Sequence, residues 1–288
     1  MNNSKTKIFG VIGHPIEHSL SPVMHSAVFK EKKINADYFA FDVDEKNLCN
    51  AIHGADALKF CGLNVTIPHK ISVLKYINKI SEEAKLINAV NTIKFDYVEN
   101  LIIGYNTDGT GAIKAIEKNL NRGLKGKKIF IFGAGGAARA IIFSALQNNA
   151  EISIYNRTTE KAILIGNEIK KRLNKDVKIV ENFNLKDELN DSDIIINATS
   201  VGMFPNVDKS VISKEYIPEG KVVMDIVYNP IETKFLKLAK QKNCKVIDGV
   251  DMLVYQGAES LKIWLNLQVD ENLIGIMRKA VVEKLIRN

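Results

Sequence analysis

Gly133 and Gly135, with Ala138 at the third position of a G-x-G-x-x-G/A pattern, can bind a phosphate through backbone alone. The apolar run 129–132 (Ile-Phe-Ile-Phe) reads as a buried strand, and 137–142 suits a helix. In that setting the first glycine permits a tight turn and the second lets a pyrophosphate approach the chain. The small third residue lets the helix pack close to its strand. A helix begun there directs unpaired N–H groups and the positive end of its dipole at the phosphate. The glycines alone fit a turn equally well; the strand before and the helix after point to a dinucleotide cofactor.

The next strand, 152–155, ends in Asn156-Arg157-Thr158-Thr159. An NAD site places an Asp or Glu about 20 residues past the glycines to accept from the ribose 2′-OH. Here Arg157 stands in that region instead. A guanidinium matches a 2′-phosphate bidentately, and the threonine hydroxyls add donors. Lys161 adds charge one turn on, so the loop favours NADP over NAD. The same residues also suit a helix capped by Thr158 or Thr159 beside a solvated arginine, and both readings can hold together.

A second set of polar residues lies in the first 110 positions. Ser19-Leu20-Ser21-Pro22 opens a helix, with Ser21 suited to the cap and Pro22 to the first helical position. The stretch 64–70 (Asn-Val-Thr-Ile-Pro-His-Lys) ends one strand and starts a helical run. Asn91-Thr92 sits in a strand and Asn106-Thr107-Asp108-Gly109 at a strand end. Each cluster alone is an ordinary turn or cap. Together, at strand C-termini and helix N-termini beside a dinucleotide fold, they suit a crevice for a polyol.

The elements that must position these groups alternate. Strand signals fall at IFGVIG, YFAFDV, GLNVTI, AVNTIKF and LIIGYN, with helical runs at 22–32, 45–55, 68–76, 81–88 and 108–121. The polar, glycine-bearing segment 121–128 reads as a boundary. A second alternating series follows, with strands near 129, 152, 177, 193, 222 and 245. The tail carries apolar residues at helical spacing, among them Met252, Leu261, Trp264, Ile274 and Met277. The fold class is α/β: an N-terminal α/β substrate domain (1–121), a Rossmann-like doubly wound dinucleotide domain (122–248), and C-terminal helices (249–288) returning to the first domain.

Composition narrows the function classes. Cys49, Cys61 and Cys244 are far apart and outside any C-x-x-C, which argues for reduced thiols and no zinc knuckle. The start lacks an apolar signal core, and apolar windows break short of the ~20 residues a membrane span needs. A cytoplasmic location is expected. The formal charge of +7 is spread along the chain without a basic tract, so anionic small ligands explain it better than nucleic acid. The histidines, all within 14–69, suit no metal spacing and read as structural; no metal is expected.

These strings together resemble the shikimate dehydrogenase family, NADP-dependent reductases of the shikimate pathway of aromatic amino-acid biosynthesis. The matching segments are GHPIEHSLSPVMHS (13–26), GLNVTIPHK (62–70), NAVNT (88–92), YNTDG (105–109), FGAGGAARA (132–140), YNRT (155–158), NATSVGM (197–203), DIVYNP (225–230) and GVDMLVYQGAES (249–260). They keep the family's order over nearly the whole chain. The SLSP, NVTxPxK and NTDG set is specific; the glycine loop alone is not. One departure is Lys161, where many members carry Arg: charge is kept and the planar fork is lost.

The resemblance implies hydride transfer from NADPH to the C3 carbonyl of 3-dehydroshikimate, giving shikimate. It places Ser19, Ser21, Asn64, Thr66, Asn91, Asp108, Tyr228 and Gln256 around the substrate hydroxyls and carboxylate, with Lys70 and Asp108 as the acid–base pair. Gly133, Ala134, Gly135, Gly136 and Ala137 would cradle the pyrophosphate. Asn156, Arg157, Thr158, Thr159, Glu160 and Lys161 would hold the adenosine 2′-phosphate. Thr199, Ile226 and Gly249 would line the nicotinamide side, and Glu82 would lie near the cofactor. Two alternatives stay open: a quinate/shikimate dehydrogenase of broader specificity, and a non-catalytic metabolite-sensing module on the same fold. Expected partners are the small-molecule substrate alone, with no nucleic acid or membrane, in a monomer or homodimer.

Overall fold

In the computed structural model, which describes residues 3–120 and 123–287, the β-branched and aromatic runs form two six-stranded sheets, each in its own unit. The first unit holds the chain through Thr107 and again from Gln256 onward. Its elements are β1 (Lys7–Gly13), α1 (Ser21–Glu31), β2 (Ala36–Asp42), α2 (Leu48–Ala57), β3 (Gly62–Val65), β4 (Lys79–Ile80), α3 (Glu82–Ile87), β5 (Thr92–Asp96) and β6 (Leu101–Tyr105). The strand order is β2-β1-β3-β5-β6-β4. The strands β1, β2 and β3 run parallel, β5 runs against β3 and β6, and β4 runs with β6. Hence β1, β3, β4 and β6 all end, and β5 begins, at one edge of the sheet. Ile12, Leu63, Val65 and Ile93 pack one face of that sheet against Leu48 and Ile52 of α2.

The second unit, Asp108–Tyr255, contains α4 (Asp108–Leu120), β7 (Lys128–Phe132), α5 (Gly136–Gln147), β8 (Glu151–Tyr155), α6 (Thr159–Leu173), β9 (Lys178–Ile179), α7 (Leu185–Asp191), β10 (Ile194–Asn197), β11 (Val222–Asp225), α8 (Lys234–Lys240) and β12 (Lys245–Ile247). All six strands are parallel, in the order β12-β11-β10-β7-β8-β9. This is the doubly wound dinucleotide order, and its reversal lies between β7 and β10, where ligands bind at the strand C-termini. Helices on both faces bury Ile194, Ile195 and Ile196 completely, which explains an uninterrupted apolar run in place of alternation.

The expected boundary at 121/122 falls outside the described residues. The helix before it, α4, packs on α5 and goes with the second unit. The last helices are α9 (Gly249–Leu265), which starts in the second unit and enters the first at Gln256, and α10 (Glu271–Arg287), which packs on α1. Trp264 of α9 donates its ring N–H to the Ile93 carbonyl at 2.8 Å. Its indole lies so close to Gly62 that a Cβ there would sit 2.2 Å from Nε1, so only glycine fits.

Two local expectations change, and one short strand is added. The helical run 68–76 is a turn followed by a 3-10 helix, Ser72–Tyr76, because a short segment bearing Ile71 and Val73 cannot nucleate an α-helix by itself. The two-residue strand β4 is too short to show a pattern. The cap of α1 is Leu20, whose carbonyl accepts the first helical bond from Met24 N at 3.1 Å. Ser21 and Pro22 therefore lie inside the first turn, and no side chain caps the helix.

Candidate active site

In the first unit the expected polar residues gather at the sheet edge where β3 ends and β5 begins. Asn64, third in β3 and buried, turns its amide toward the Asn91 carbonyl at 3.1 Å, Thr92 Oγ1 at 3.1 Å and Ser260 Oγ at 3.0 Å. Its Oδ1 accepts from the Tyr38 hydroxyl at 2.7 Å. Asn91 accepts through Oδ1 from Thr107 N (2.8 Å) and Thr92 Oγ1 (2.9 Å), and its amide reaches Thr107 Oγ1 (2.9 Å) and Gln256 Oε1 (3.4 Å). The network thus joins Asn64, Asn91 and Gln256 and fixes the planes of both asparagine amides. Ser21 also hydrogen-bonds Tyr38, whose hydroxyl burial holds well above the ordinary phenol range. Tyr38 stays a neutral donor.

Lys70 is carried to the same edge by its backbone. Its carbonyl accepts from Val90 N at 2.8 Å, next to Asn91. The preceding His69 is buried, and its Nε2 lies 2.6 Å from the Val43 carbonyl, which pins the turn to the chain leaving β2. Thr66 N donates to the Ile12 carbonyl at 3.0 Å, placing Thr66 at the end of β1. Ser19, Thr66, Lys70 and Gln256 are half-buried. Glu82 belongs to this unit, at the first turn of α3, with an exposed carboxylate 3.9 Å from Lys85. His25, read as structural, is fully buried and stacks on Tyr38 at 4.4 Å; burial lowers its pKa to about 3, leaving a neutral ring.

In the second unit Gly133 leaves β7 with φ +113°, a conformation that favours glycine, and a Cβ there would press on the Ala198 carbonyl at 2.9 Å. Ala134, Gly135, Gly136 and Ala137 follow. Gly135 is the N-cap of α5 without a side-chain cap, and open space surrounds Gly135 and Gly136. A 12-residue helix with bare N-terminal amides and a glycine approach fits a pyrophosphate. Asn156 closes the loop after β8 by donating to the Thr158 carbonyl at 2.8 Å. Arg157, Thr158, Glu160 and Lys161 are exposed and Thr159 half-buried around the start of α6. Thr158 is the N-cap by position, but its hydroxyl makes no capping bond. Thr199 follows β10, and half-buried Ile226 and Tyr228 follow β11. Burial raises the Tyr228 pKa. Gly249 opens α9 against the Ile226–Val227 backbone. Asp108, expected for substrate and catalysis, opens α4 and is buried in this unit.

Sequence reasoning missed Tyr38 and Ser260 of the first-unit network, and Asn197, whose Oδ1 accepts from the Thr199 amide at 3.0 Å and the Thr199 hydroxyl at 2.7 Å. Tyr38 lies in an ordinary aromatic strand and Ser260 on an apolar helix, so neither carried a local signal.

Three known families match successive parts of the chain. The family described as the shikimate dehydrogenase substrate binding domain matches residues 11–93. The family described as shikimate / quinate 5-dehydrogenase matches 114–248, and the shikimate 5′-dehydrogenase C-terminal domain matches 249–282. A shikimate dehydrogenase (NADP(+)) from Methanocaldococcus jannaschii is 49% identical over 289 residues, covering 100% of both chains. A crystal structure of a shikimate dehydrogenase in complex with NADP+ superposes with a TM-score of 0.93 at 48% identity, over 99% of this chain and 98% of the other. One from Thermus thermophilus in complex with NADP(H) and shikimate gives 0.85 at 32% identity, over 96% and 99%.

Proposed function

Because the chain belongs to the shikimate dehydrogenase family, we propose that it reversibly reduces 3-dehydroshikimate to shikimate with NADPH, as a step of aromatic amino-acid biosynthesis. The observation that carries the reading is the bare, glycine-lined start of α5 at the strand-order reversal. After the next strand stands Arg157, where an NAD site needs a carboxylate. The residues from Gly133 to Ala137 hold the pyrophosphate, and Asn156 to Lys161 hold the 2′-phosphate. Thr199, Ile226 and Gly249 line the nicotinamide side, with Glu82 near the cofactor. When bound, NADPH supplies the hydride.

Ser19, Ser21, Asn64, Thr66, Asn91, Asp108, Tyr228 and Gln256 orient the substrate by its hydroxyls and carboxylate. The Asn64–Asn91 network supports this role by presetting both amides before substrate arrives. Lys70 Nζ donates the proton that the forming C3 alkoxide needs and takes it back in the reverse direction, and Asp108 is the second member of the acid–base pair. The three cysteines are free thiols, in keeping with a cytoplasmic enzyme. No helix among the described residues is long and apolar enough to cross a membrane. The enzyme acts on its small-molecule substrate without nucleic acid, as a monomer or homodimer.

Steady-state assays with shikimate and quinate, each against NADP and NAD, test the reading. Shikimate with NADP should give the highest kcat/KM; comparable turnover of quinate indicates the broader enzyme, and no turnover of either sinks the proposal. Lys70→Ala should lower kcat by about 10²- to 10⁴-fold with a much smaller change in shikimate KM. Near-normal kcat would remove Lys70 from the mechanism. Asp108→Asn should also cripple turnover, less than additively with Lys70→Ala.

A further inference from the structure

Asp225, the last residue of β11, is completely buried in the second unit. Its Oδ1 accepts from Asn197 Nδ2 at 2.9 Å and from Val227 N at 3.0 Å, and its Oδ2 accepts from Thr233 Oγ1 at 2.6 Å. These donors come from the end of β10, the loop after β11, and the cap of α8. Asn197, equally buried, passes the constraint on. Its Oδ1 accepts from the Thr199 amide at 3.0 Å and the Thr199 hydroxyl at 2.7 Å, while its Nδ2 also reaches the Val201 carbonyl at 3.1 Å. Thr199 Oγ1 in turn accepts from Val201 N at 3.1 Å. The whole 197–201 turn is therefore wound on one asparagine, and that asparagine hangs on Asp225.

A carboxyl group in this position is an expensive choice. Burial pushes its pKa up to about 6, and its hydrogen-bond partners only partly offset that. A smaller apolar residue would remove the desolvation cost. It would not present two acceptor oxygens in one fixed plane to donors from separate segments. Gly133 adds a further constraint: the space a Cβ would need there is taken by Ala198 O and Thr199 Cγ2, both 2.9 Å away, so the glycine loop is seated on the same turn.

We infer that Asp225 is a positioning residue for the nicotinamide end of the cofactor site, holding the 198–201 and 226–228 loops through Asn197, Val227 and Thr233. The assignment rests on the proposed reading that Thr199 and Ile226 line the nicotinamide side. It separates the cofactor site into two halves. The adenosine half depends on the β8–α6 loop, and the nicotinamide half on the buried carboxyl.

The test uses the full chain without cofactor and then with two probes, NADP and adenosine 2′,5′-bisphosphate, which lacks nicotinamide. Asp225→Ala should speed amide hydrogen exchange at Thr199, Val201 and Val227 by roughly tenfold or more, as expected for loss of a charged hydrogen-bond acceptor. It should weaken NADP binding by about tenfold while leaving the bisphosphate within about twofold. Asp225→Asn should restore both, because its Oδ1 still accepts from Asn197 and Val227 and its amide can donate to Thr233 Oγ1. Thr233→Val, which removes one anchor only, should fall between and covers the case in which Asp225→Ala does not fold. Unchanged exchange in these loops overturns the inference. So does equal loss of NADP and bisphosphate, or an asparagine variant as impaired as the alanine one. Faster exchange with NADP affinity untouched, in Asp225→Ala and Thr199→Ala alike, instead overturns the placement of nicotinamide, and the inference goes with it.

Discussion

Replacing Tyr38 with phenylalanine removes one oxygen from the middle of the candidate substrate site and little else. The ring can keep its stack on His25 at 4.4 Å and 12°, so packing is preserved. What disappears is the donor to Asn64 Oδ1 at 2.7 Å and the bond with Ser21. Asn64 is only 6% exposed, so water cannot take the vacated place freely. An unsatisfied buried acceptor costs about 1–3 kcal/mol. Stability should fall by that amount, with an unchanged urea m-value, since the native fold is kept. Trp264, the single tryptophan, lies 6.3 Å from Tyr38 between ring centroids and reports this unfolding directly. Function should suffer separately. Asn64 keeps its amide bonds to Asn91, Thr92 and Ser260, but Ser21 would be ordered by the substrate rather than beforehand, at about 0.5–1.5 kcal/mol for one immobilised side chain. That amounts to a roughly 2- to 12-fold loss in kcat/KM for shikimate, with NADP KM unaffected. Burial keeps the parent phenol protonated, so this ratio should stay flat across the neutral and mildly alkaline range. A stability loss with unchanged shikimate kcat/KM would reduce Tyr38 to a packing residue. No loss in either would refute the network argument.

Other perturbations probe the remaining parts. Arg157→Ala should raise the NADP dissociation constant roughly 10- to 150-fold, from the 1.5–3 kcal/mol of a charge-assisted contact, and barely change NAD. Equal loss of both would show that Arg157 serves the fold or the adenine. Gly62→Ala forces a Cβ to within 2.2 Å of Trp264 Nε1 and should cost about 1–3 kcal/mol with a shift in tryptophan emission; an unshifted, fully stable variant would contradict the packing. Asp225 has its pKa raised from 3.8 to about 6, so the folded chain holds that proton more tightly than the unfolded one. Stability is lost as pH rises between those values, by about 3 kcal/mol at about 1.4 kcal/mol per unit. Asp225→Asn escapes this penalty, so its stability advantage should grow from nothing near pH 4 to about 3 kcal/mol at pH 7; a flat difference would refute it.

The glycine loop was legible from residues 129–142 because its chemistry is local. A strand, a turn needing positive φ at Gly133 and a helix start are each written within a few residues, and the structure places them at β7 and α5. The doubly wound class of the second sheet was legible too, since alternating apolar runs with short connections admit few topologies, and the structure supplies its strand order. That Arg157 falls at the entry to α6 needed only its distance past the glycines. The cap at Ser21 was misread because Ser, Leu and Pro all tolerate a helix entry, and the choice was settled by which carbonyl Met24 N reached. A domain division near 107 rather than at 121/122 had no local mark, because α4 reads as a helix whichever unit it packs against.

What holds the candidate site was decided in three dimensions. Asn64 meets Ser260 across 196 residues of sequence, and Asn197 meets Asp225 across 28. A residue's type states which bonds it can make; which bond it does make depends on what the fold brings within about 3 Å. Tyr38 carries the same letters as any core aromatic in a strand until β2 is set beside β1 and α1 is laid across them. Asp225 resembles any strand-end aspartate until a neighbouring strand end, a loop and a helix cap converge on it. Motifs survive in the sequence because cofactor chemistry needs them contiguous. The supports behind them are spread along the chain, because a hydrogen bond requires only that its partners be close in space.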